Sequence, residues 1–156
     1  PDPIWDYGHT GLQLWPSTLA LGDFLLSRAG RALLQGRAVL ELGCGVGLLG
    51  PLAVLAGARH VVLTDVDALV LSLCAHNVAL NLAALTAFVA TATPEGGPAG
   101  VAPIAVRHLD WREDAALDAA AAAEVDIVLA ADVVYEEGIS EHLRRALLRL
   151  TERWPQ

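Results

Sequence analysis

The stretch Val39-Leu-Glu-Leu-Gly-Cys-Gly-Val-Gly47, with Thr64-Asp65 further along, decides the fold. An apolar run that carries a carboxylate leads into a glycine-rich turn, and a second β-branched run ends in another carboxylate. Two parallel strands with acidic ends beside a glycine turn are typical of a nucleoside-binding pocket. The segment Gly45-Val-Gly-Leu-Leu-Gly50 also fits the loose dinucleotide pattern G-x-G-x-x-G, so the turn alone leaves the nucleoside open.

Strand and helix signals alternate along the rest of the chain. We predict strands over 38–42, 60–64, 104–109 and 126–131, and helices over 17–30, 47–56, 67–82, 115–123 and 140–154. This alternation predicts one domain over 1–156 with a Rossmann-like, doubly wound parallel α/β sheet. Residues 1–11 are expected to be irregular, and the Pro- and Gly-rich residues 91–103 to form a flexible loop.

Carboxylates follow or end each predicted strand. They are Glu41, Asp65, Asp110 and Asp132. Because right-handed crossovers bring the carboxyl ends of parallel strands to one edge of the sheet, we expect these four side chains to gather there.

Glu41 separates two classes of nucleoside ligand. A carboxylate just before the glycines would repel a bound pyrophosphate, which opposes an NAD-type oxidoreductase. It would suit a ligand with an ammonium group and no phosphate, such as S-adenosyl-L-methionine. The glycines, Gly43, Gly45 and Gly47, then let the backbone approach the methionine portion, and Asp65 accepts hydrogen bonds from the ribose.

Two further pairs could complete such a site. Asp110 and Trp111 could bond and stack the adenine, although Trp111 could equally be a core aromatic residue at a strand end. Asp132 and Tyr135 could orient a nucleophilic amine against the sulfonium methyl group. The Trp15 side chain could be a hydrophobic staple before the first helix.

Composition narrows the classes of partner. The net charge of −8 opposes a nucleic-acid partner and is compatible with a basic protein substrate. The two cysteines and five histidines show no metal-ligand spacing, so we expect no metal site and assign the histidines structural or surface roles. Two cysteines form no disulfide framework, which favours an intracellular protein. The uncharged residues 68–94 include His76, Asn77 and Asn81, which favours a buried helix over a membrane span.

Six segments together resemble methyltransferase family 16, within the seven-β-strand S-adenosylmethionine-dependent methyltransferases. They are Leu14-Trp-Pro-Ser17, Glu41-Leu-Gly-Cys-Gly-Val-Gly47, Thr64-Asp65, Asn77 with Asn81, Leu109-Asp-Trp111 and Ala131-Asp-Val-Val-Tyr135. Within the family the chain resembles the methyltransferase-like 22 group. The resemblance implies protein-lysine methylation by a monomer in the cytoplasm or nucleus, with a lysine-bearing protein as partner.

The resemblance also implies roles for single residues. Cofactor contacts are expected at Trp15, Gly43, Cys44, Gly45, Asp65, Trp111 and Ala131, and Glu41 is expected to face the methionine amino group. Asp132 and Tyr135 are implied to face the acceptor lysine.

The family sheet has seven strands, whereas this sequence predicts four, so we expect a chain that lacks the C-terminal strands of the domain and, having no Met, its natural N-terminus. A shortened sheet leaves open a third possibility, a non-catalytic protein-binding module. A non-catalytic module is opposed by the presence of all the main candidate site residues, which are Glu41, Asp65, Asp132 and Tyr135.

Overall fold

A parallel sheet of four strands lies at the centre of the computed structural model, which describes residues 9–92, 102–122, 124–135 and 138–152. The strands are β1 (Ala38–Leu42), β2 (His60–Asp65), β3 (Ile104–His108) and β4 (Ile127–Ala130), in the spatial order β3-β2-β1-β4. Leu40 of β1 pairs with Val62 of β2 and with Val128 of β4. The strand order reverses next to β1, as in doubly wound folds, and the predicted fold class is confirmed.

Six α-helices and one short 3-10 helix (Thr10–Leu12) surround the sheet within the described residues. The α-helices are α1 (Pro16–Leu26), α2 (Arg28–Leu34), α3 (Leu49–Leu55), α4 (Ala68–Ala92), α5 (Asp114–Ala122) and α6 (Ile139–Thr151). Helices cover both faces of the sheet, so β1 is buried over its whole length.

Alternating side chains of β1 point to two separate cores. Val39 joins the cluster that includes Leu34 and Leu49 from α2 and α3. Leu40 and Leu42 join the opposite cluster, with Leu117 of α5 and Leu150 of α6. Period-two alternation in a strand therefore holds helices on both faces of the sheet.

The first predicted helix is two helices. Helix α1 ends at Leu26 and α2 begins at Arg28, because the Ser27 hydroxyl accepts from Gly30 N and donates to Phe24 O. Ser27 is the N-cap of α2, and such side-chain bonds compete with a continuous helix. Helix α1 begins one residue before the predicted start at 17: Pro16 is the first helical residue and Trp15 is its N-cap.

Helix α4 is longer than predicted. It continues past Leu82 to Ala92, because the segment contains no Gly or Pro and the side chains of Asn81 and Thr86 bond within the helix. Asn81 Nδ2 donates to Asn77 O, and Thr86 Oγ1 donates to Leu82 O. Residues 93–101 of the predicted loop, and residues 1–8 of the predicted irregular segment, lie outside the described residues.

The segment Ala68–Ala87 of α4 is long and apolar enough to cross a membrane, judged by length and composition alone. In this structure α4 packs against β2, β3 and α3, and its residues Val70, Cys74 and Leu85 are buried. Only 22% of its most apolar window is buried, so the predicted buried helix is covered on one face and exposed on the other. Core helices of globular proteins meet the same criteria of length and hydropathy.

Candidate functional site

A cavity of about 600 Å³ opens at the carboxyl ends of the strands. Such volumes are typical of small-molecule sites, and the edge where the strand order reverses is where doubly wound sheets bind ligands. Eight of the residues predicted for the site line this cavity: Trp15, Gly43, Asp65, Asp110, Trp111, Ala131, Asp132 and Tyr135.

Four other predicted residues, Glu41, Cys44, Gly45 and Gly47, lie outside the cavity lining. Cys44 is buried with its Sγ 3.8 Å from Sγ of Cys74. Gly45 N donates to Asp65 Oδ2 at 3.1 Å, which fixes the turn to the end of β2. The glycine turn therefore touches the cavity through Gly43 and holds the Asp65 carboxylate through Gly45.

Glu41 lies within β1 rather than at its tip, and only 2% of its surface is exposed. Burial raises the pKa of the Glu41 carboxyl well above its usual range, and the nearby Cys74 and Asp65 raise it further. Its Oε2 atom is buried without a hydrogen-bond partner. A buried carboxyl oxygen without a partner is uncommon in folded proteins and calls for a functional explanation.

Asp65 and Asp67 form one hydrogen-bonded corner of the cavity. Asp65 Oδ1 accepts from Val66 N and Asp67 N. Asp67 Oδ1 accepts from Leu69 N, and Asp67 Oδ2 pairs with His9 Nδ1 at 2.5 Å. Hydrogen bonds to His9 and to the first turn of α4 lower the pKa of Asp67. This corner ties His9 to the turn between β2 and α4.

Asp110 is held by its own neighbour rather than left free. Arg112 Nη2 lies 2.6 Å from Asp110 Oδ2, and Arg112 Nε lies 2.9 Å from Oδ1. These bonds lower the pKa of Asp110 to about 2. Arg145 of α6 donates to the backbone carbonyl of Trp111 at 2.9 Å, so α6 holds the backbone of the turn that carries the indole.

Asp132 contacts the first helix. Ser17 Oγ donates to Asp132 Oδ1 at 2.8 Å, and Ser17 N donates to Asp132 Oδ2 at 2.9 Å. Tyr135 lies three residues further on, 58% exposed, and also lines the cavity. The carboxylate and the phenol are thus brought to one cavity, on the side of β4 and α6.

Sequence reasoning missed His142, which it assigned to a structural or surface role. His142 and Ile139 lie in the first turn of α6 and line the cavity beside Tyr135. The available signal was their spacing: residues three apart at the start of a helix share a face. Among the described residues, four carboxylates line the cavity together with Arg112 and His142, which makes it a favourable place for a cationic ligand; they are Asp65, Asp67, Asp110 and Asp132.

Comparison with known proteins agrees with this architecture. A model of the lysine methyltransferase family matches residues 4–156. Methyltransferase-like protein 22 of Mus musculus is 34% identical over 164 residues, which cover 97% of this chain and 37% of that protein. The protein-lysine N-methyltransferase EEF2KMT of Mus musculus is 34% identical and covers 96% of this chain and 42% of that protein.

The chain thus spans less than half the length of these curated relatives. Among solved structures, one from Pyrococcus horikoshii, named for a proposed RNA methyltransferase, matches with a TM-score of 0.56. It is 21% identical and covers 91% of this chain and 59% of that one, a likeness that shows the fold alone. On the match of the family model to nearly the whole sequence, this chain belongs to the lysine methyltransferase family.

Proposed function

We propose that the protein transfers methyl groups from S-adenosylmethionine to the side-chain amine of a lysine in another protein. The proposal rests on the observation that one cavity is lined both by Asp65 and Trp111 and by Asp132 and Tyr135. The first pair suits a nucleoside, and the second pair suits an amine. Membership of the lysine methyltransferase family supports both the proposed cofactor and the proposed lysine acceptor.

The residues present fit S-adenosylmethionine. The buried Oε2 of Glu41 has no hydrogen-bond partner, and an ammonium group at the turn would supply one. Asp65 would hold the ribose, Trp111 would stack on the adenine, and Gly43, which lines the cavity, would lie beside the methionine portion. When bound, this cofactor supplies a methyl group on a positively charged sulfur, which an amine can accept.

The chain's own contribution is position and charge. Asp132 and Tyr135 offer a carboxylate and a phenol to the entering amine, and both hold a hydrogen-bonding atom at the cavity wall. The exposed Tyr135 and Val134 place this end of the cavity near the surface, where a long lysine side chain of another protein can enter. A lysine side chain is narrow and flexible enough to reach such a site.

The proposal extends to the setting of the reaction. We expect a protein rather than a nucleic acid as partner, because a chain with net charge −8 would be repelled by phosphates. We further propose a monomer that acts in the cytoplasm or nucleus, with α4 as a core helix rather than a membrane span.

The test uses the full-length protein with a methyl-labelled cofactor and a protein extract. Label recovered as methyl-lysine in a protein of the extract, after that protein is separated from the enzyme and hydrolysed in acid, would support the proposal. Residues 1–156 contain no lysine, so this part of the enzyme cannot itself carry such a label. Asp132→Ala should abolish the label while binding of S-adenosylhomocysteine persists. Label on arginine or on small amines, or binding of NAD alone in calorimetry, would contradict it.

A further inference from the structure

The side chain of Asp132 and the first turn of α1 are joined by two short hydrogen bonds. Ser17 supplies both donors, its hydroxyl at 2.8 Å and its backbone N–H at 2.9 Å, one to each carboxylate oxygen. The two residues are 115 positions apart. Because each carboxylate oxygen offers about two acceptor sites, these bonds leave about two sites free for another donor.

The backbone at Asp132 supports the same interpretation. Its φ of +54° makes it the non-glycine residue with a positive φ in the described part of the chain. This conformation is uncommon for residues with a side chain, although Asp tolerates it better than most. A residue held in such a conformation needs contacts that fix it, and the bonds from Ser17 are contacts of that kind.

The two bonded segments form two walls of the cavity. Trp15 and Thr18 of the α1 segment line it, and so do Val133 and Tyr135 of the segment after β4. Ser17 and Asp132 are both exposed, so their bonds add little to overall stability. Their effect is on geometry, because they fix the position of the Asp132 carboxylate relative to the start of α1 and to the segment after β4.

We propose that Ser17 is a positioning residue that holds the Asp132 carboxylate toward the acceptor end of the cavity. The inference rests on the proposed function and deepens it: a residue at the start of α1 orients the Asp132 carboxylate, which is the group proposed to face the amine. Ser17 itself need not touch the acceptor. Its loss should therefore affect recognition of an amine more than recognition of the nucleoside.

The test compares two ligands of the full-length protein by calorimetry. S-adenosylhomocysteine has no charge at the position of the transferred methyl group, whereas sinefungin carries an amine there. The wild type should prefer sinefungin, and Ser17→Ala should reduce that preference about fivefold, the net value of one ordinary hydrogen bond. The affinity for S-adenosylhomocysteine should stay within about twofold, and Ser17→Thr, which keeps the hydroxyl, should restore the preference.

Ser27→Ala is the matched control. The Ser27 hydroxyl likewise forms hydrogen bonds at the start of a helix, where it caps α2, but Ser27 lies outside the cavity lining. This variant should lower the melting temperature and leave both affinities unchanged. In methyl transfer, Ser17→Ala should lower kcat more than it raises KM for the cofactor, whereas Ser27→Ala should change neither.

The outcomes separate this inference from the proposed function. If the wild type binds S-adenosylhomocysteine but methylates no lysine, the proposed acceptor is wrong, and the ligand preference still decides the role of Ser17. An unchanged preference in Ser17→Ala, or an equal loss of both ligands, would overturn the inference. Failure of the wild type to bind either ligand would overturn both.

Discussion

Gly47 packs directly against Cys74. A Cβ atom at Gly47 would lie 2.5 Å from Sγ of Cys74, and the φ of Gly47 is +85°. The glycine turn after β1 is therefore seated on helix α4, and a side chain is excluded there both by the backbone conformation and by lack of space.

Substitution of this glycine should be severe. We expect Gly47→Ala to lower the free energy of unfolding by about 2 to 4 kcal/mol, the left-handed backbone penalty plus the cost of overpacking. Urea unfolding followed by circular dichroism measures the loss. Gly36→Ala is the control, because Gly36 has a φ of +70° with no atom within 4 Å of its added Cβ. It should cost only about 1 to 2 kcal/mol; equal losses at the two positions would show that contact with Cys74 is unimportant.

Asn77 should matter for the cofactor because it fastens the glycine turn. Its Nδ2 donates to the Val46 carbonyl at 3.0 Å, from α4 to the turn. Asn77→Ala should weaken binding of S-adenosylhomocysteine by about two- to tenfold, the usual value of one such hydrogen bond. Asn81→Ala should have no effect, since Asn81 bonds only to its own helix at Asn77 O. Calorimetry distinguishes them, and equal effects would argue against a role for the turn contact.

Trp111 should carry a large share of nucleoside affinity. Loss of a base-stacking aromatic side chain costs about 1 to 3 kcal/mol, so Trp111→Ala should weaken binding of S-adenosylhomocysteine about 5- to 150-fold. Trp111→Phe should recover most of it. If Ala and Phe variants lose stability equally but bind the ligand normally, Trp111 is a core residue and the stacking role is wrong.

The Asp110–Arg112 pair makes a prediction about pH. The Arg112 side chain donates hydrogen bonds that lower the pKa of Asp110 to about 2. Because this lies below the unfolded value of about 3.9, the pair's contribution to stability is complete above about pH 4 and is lost as the pH falls toward 2. In Arg112→Ala the pKa of Asp110 should rise toward its ordinary value.

Carbon-13 NMR of the Asp110 carboxyl during acid titration measures this shift. The control is Arg144→Ala on α6, where Arg144 lowers the pKa of Glu141 by its hydrogen bonds at an exposed position. That variant should raise the pKa of Glu141 and leave Asp110 unchanged. An Asp110 titration that is the same with and without Arg112 would contradict the assignment.

The framework of the fold could be predicted because its signals are local. The run Val39 to Leu42, the glycine turn after it and the β-branched residues before Asp65 each define an element without help from distant residues. Right-handed crossover then places Asp65, Asp110 and Asp132 at one edge of the sheet, as the structure has them.

What could not be predicted depends on contacts between distant residues or on competition between neighbouring groups. The break between α1 and α2 depends on the hydroxyl of Ser27, one of several serines and threonines that could have capped a helix. The burial of Glu41 follows from the α-helices that cover β1, which no local pattern reveals. His142 enters the cavity only because α6 begins beside Tyr135. The individual roles of the site residues stay predictions.

The hydrogen bonds between Ser17 and Asp132 have a consequence for the evolution of this site. A change at either position alone would leave the other without its partner, so the two should covary despite the length of chain between them. Homologues that keep the carboxylate but lose the hydroxyl would be natural counterparts of Ser17→Ala. Reading these two alignment columns together would then sort transferases from relatives whose acceptor site has decayed.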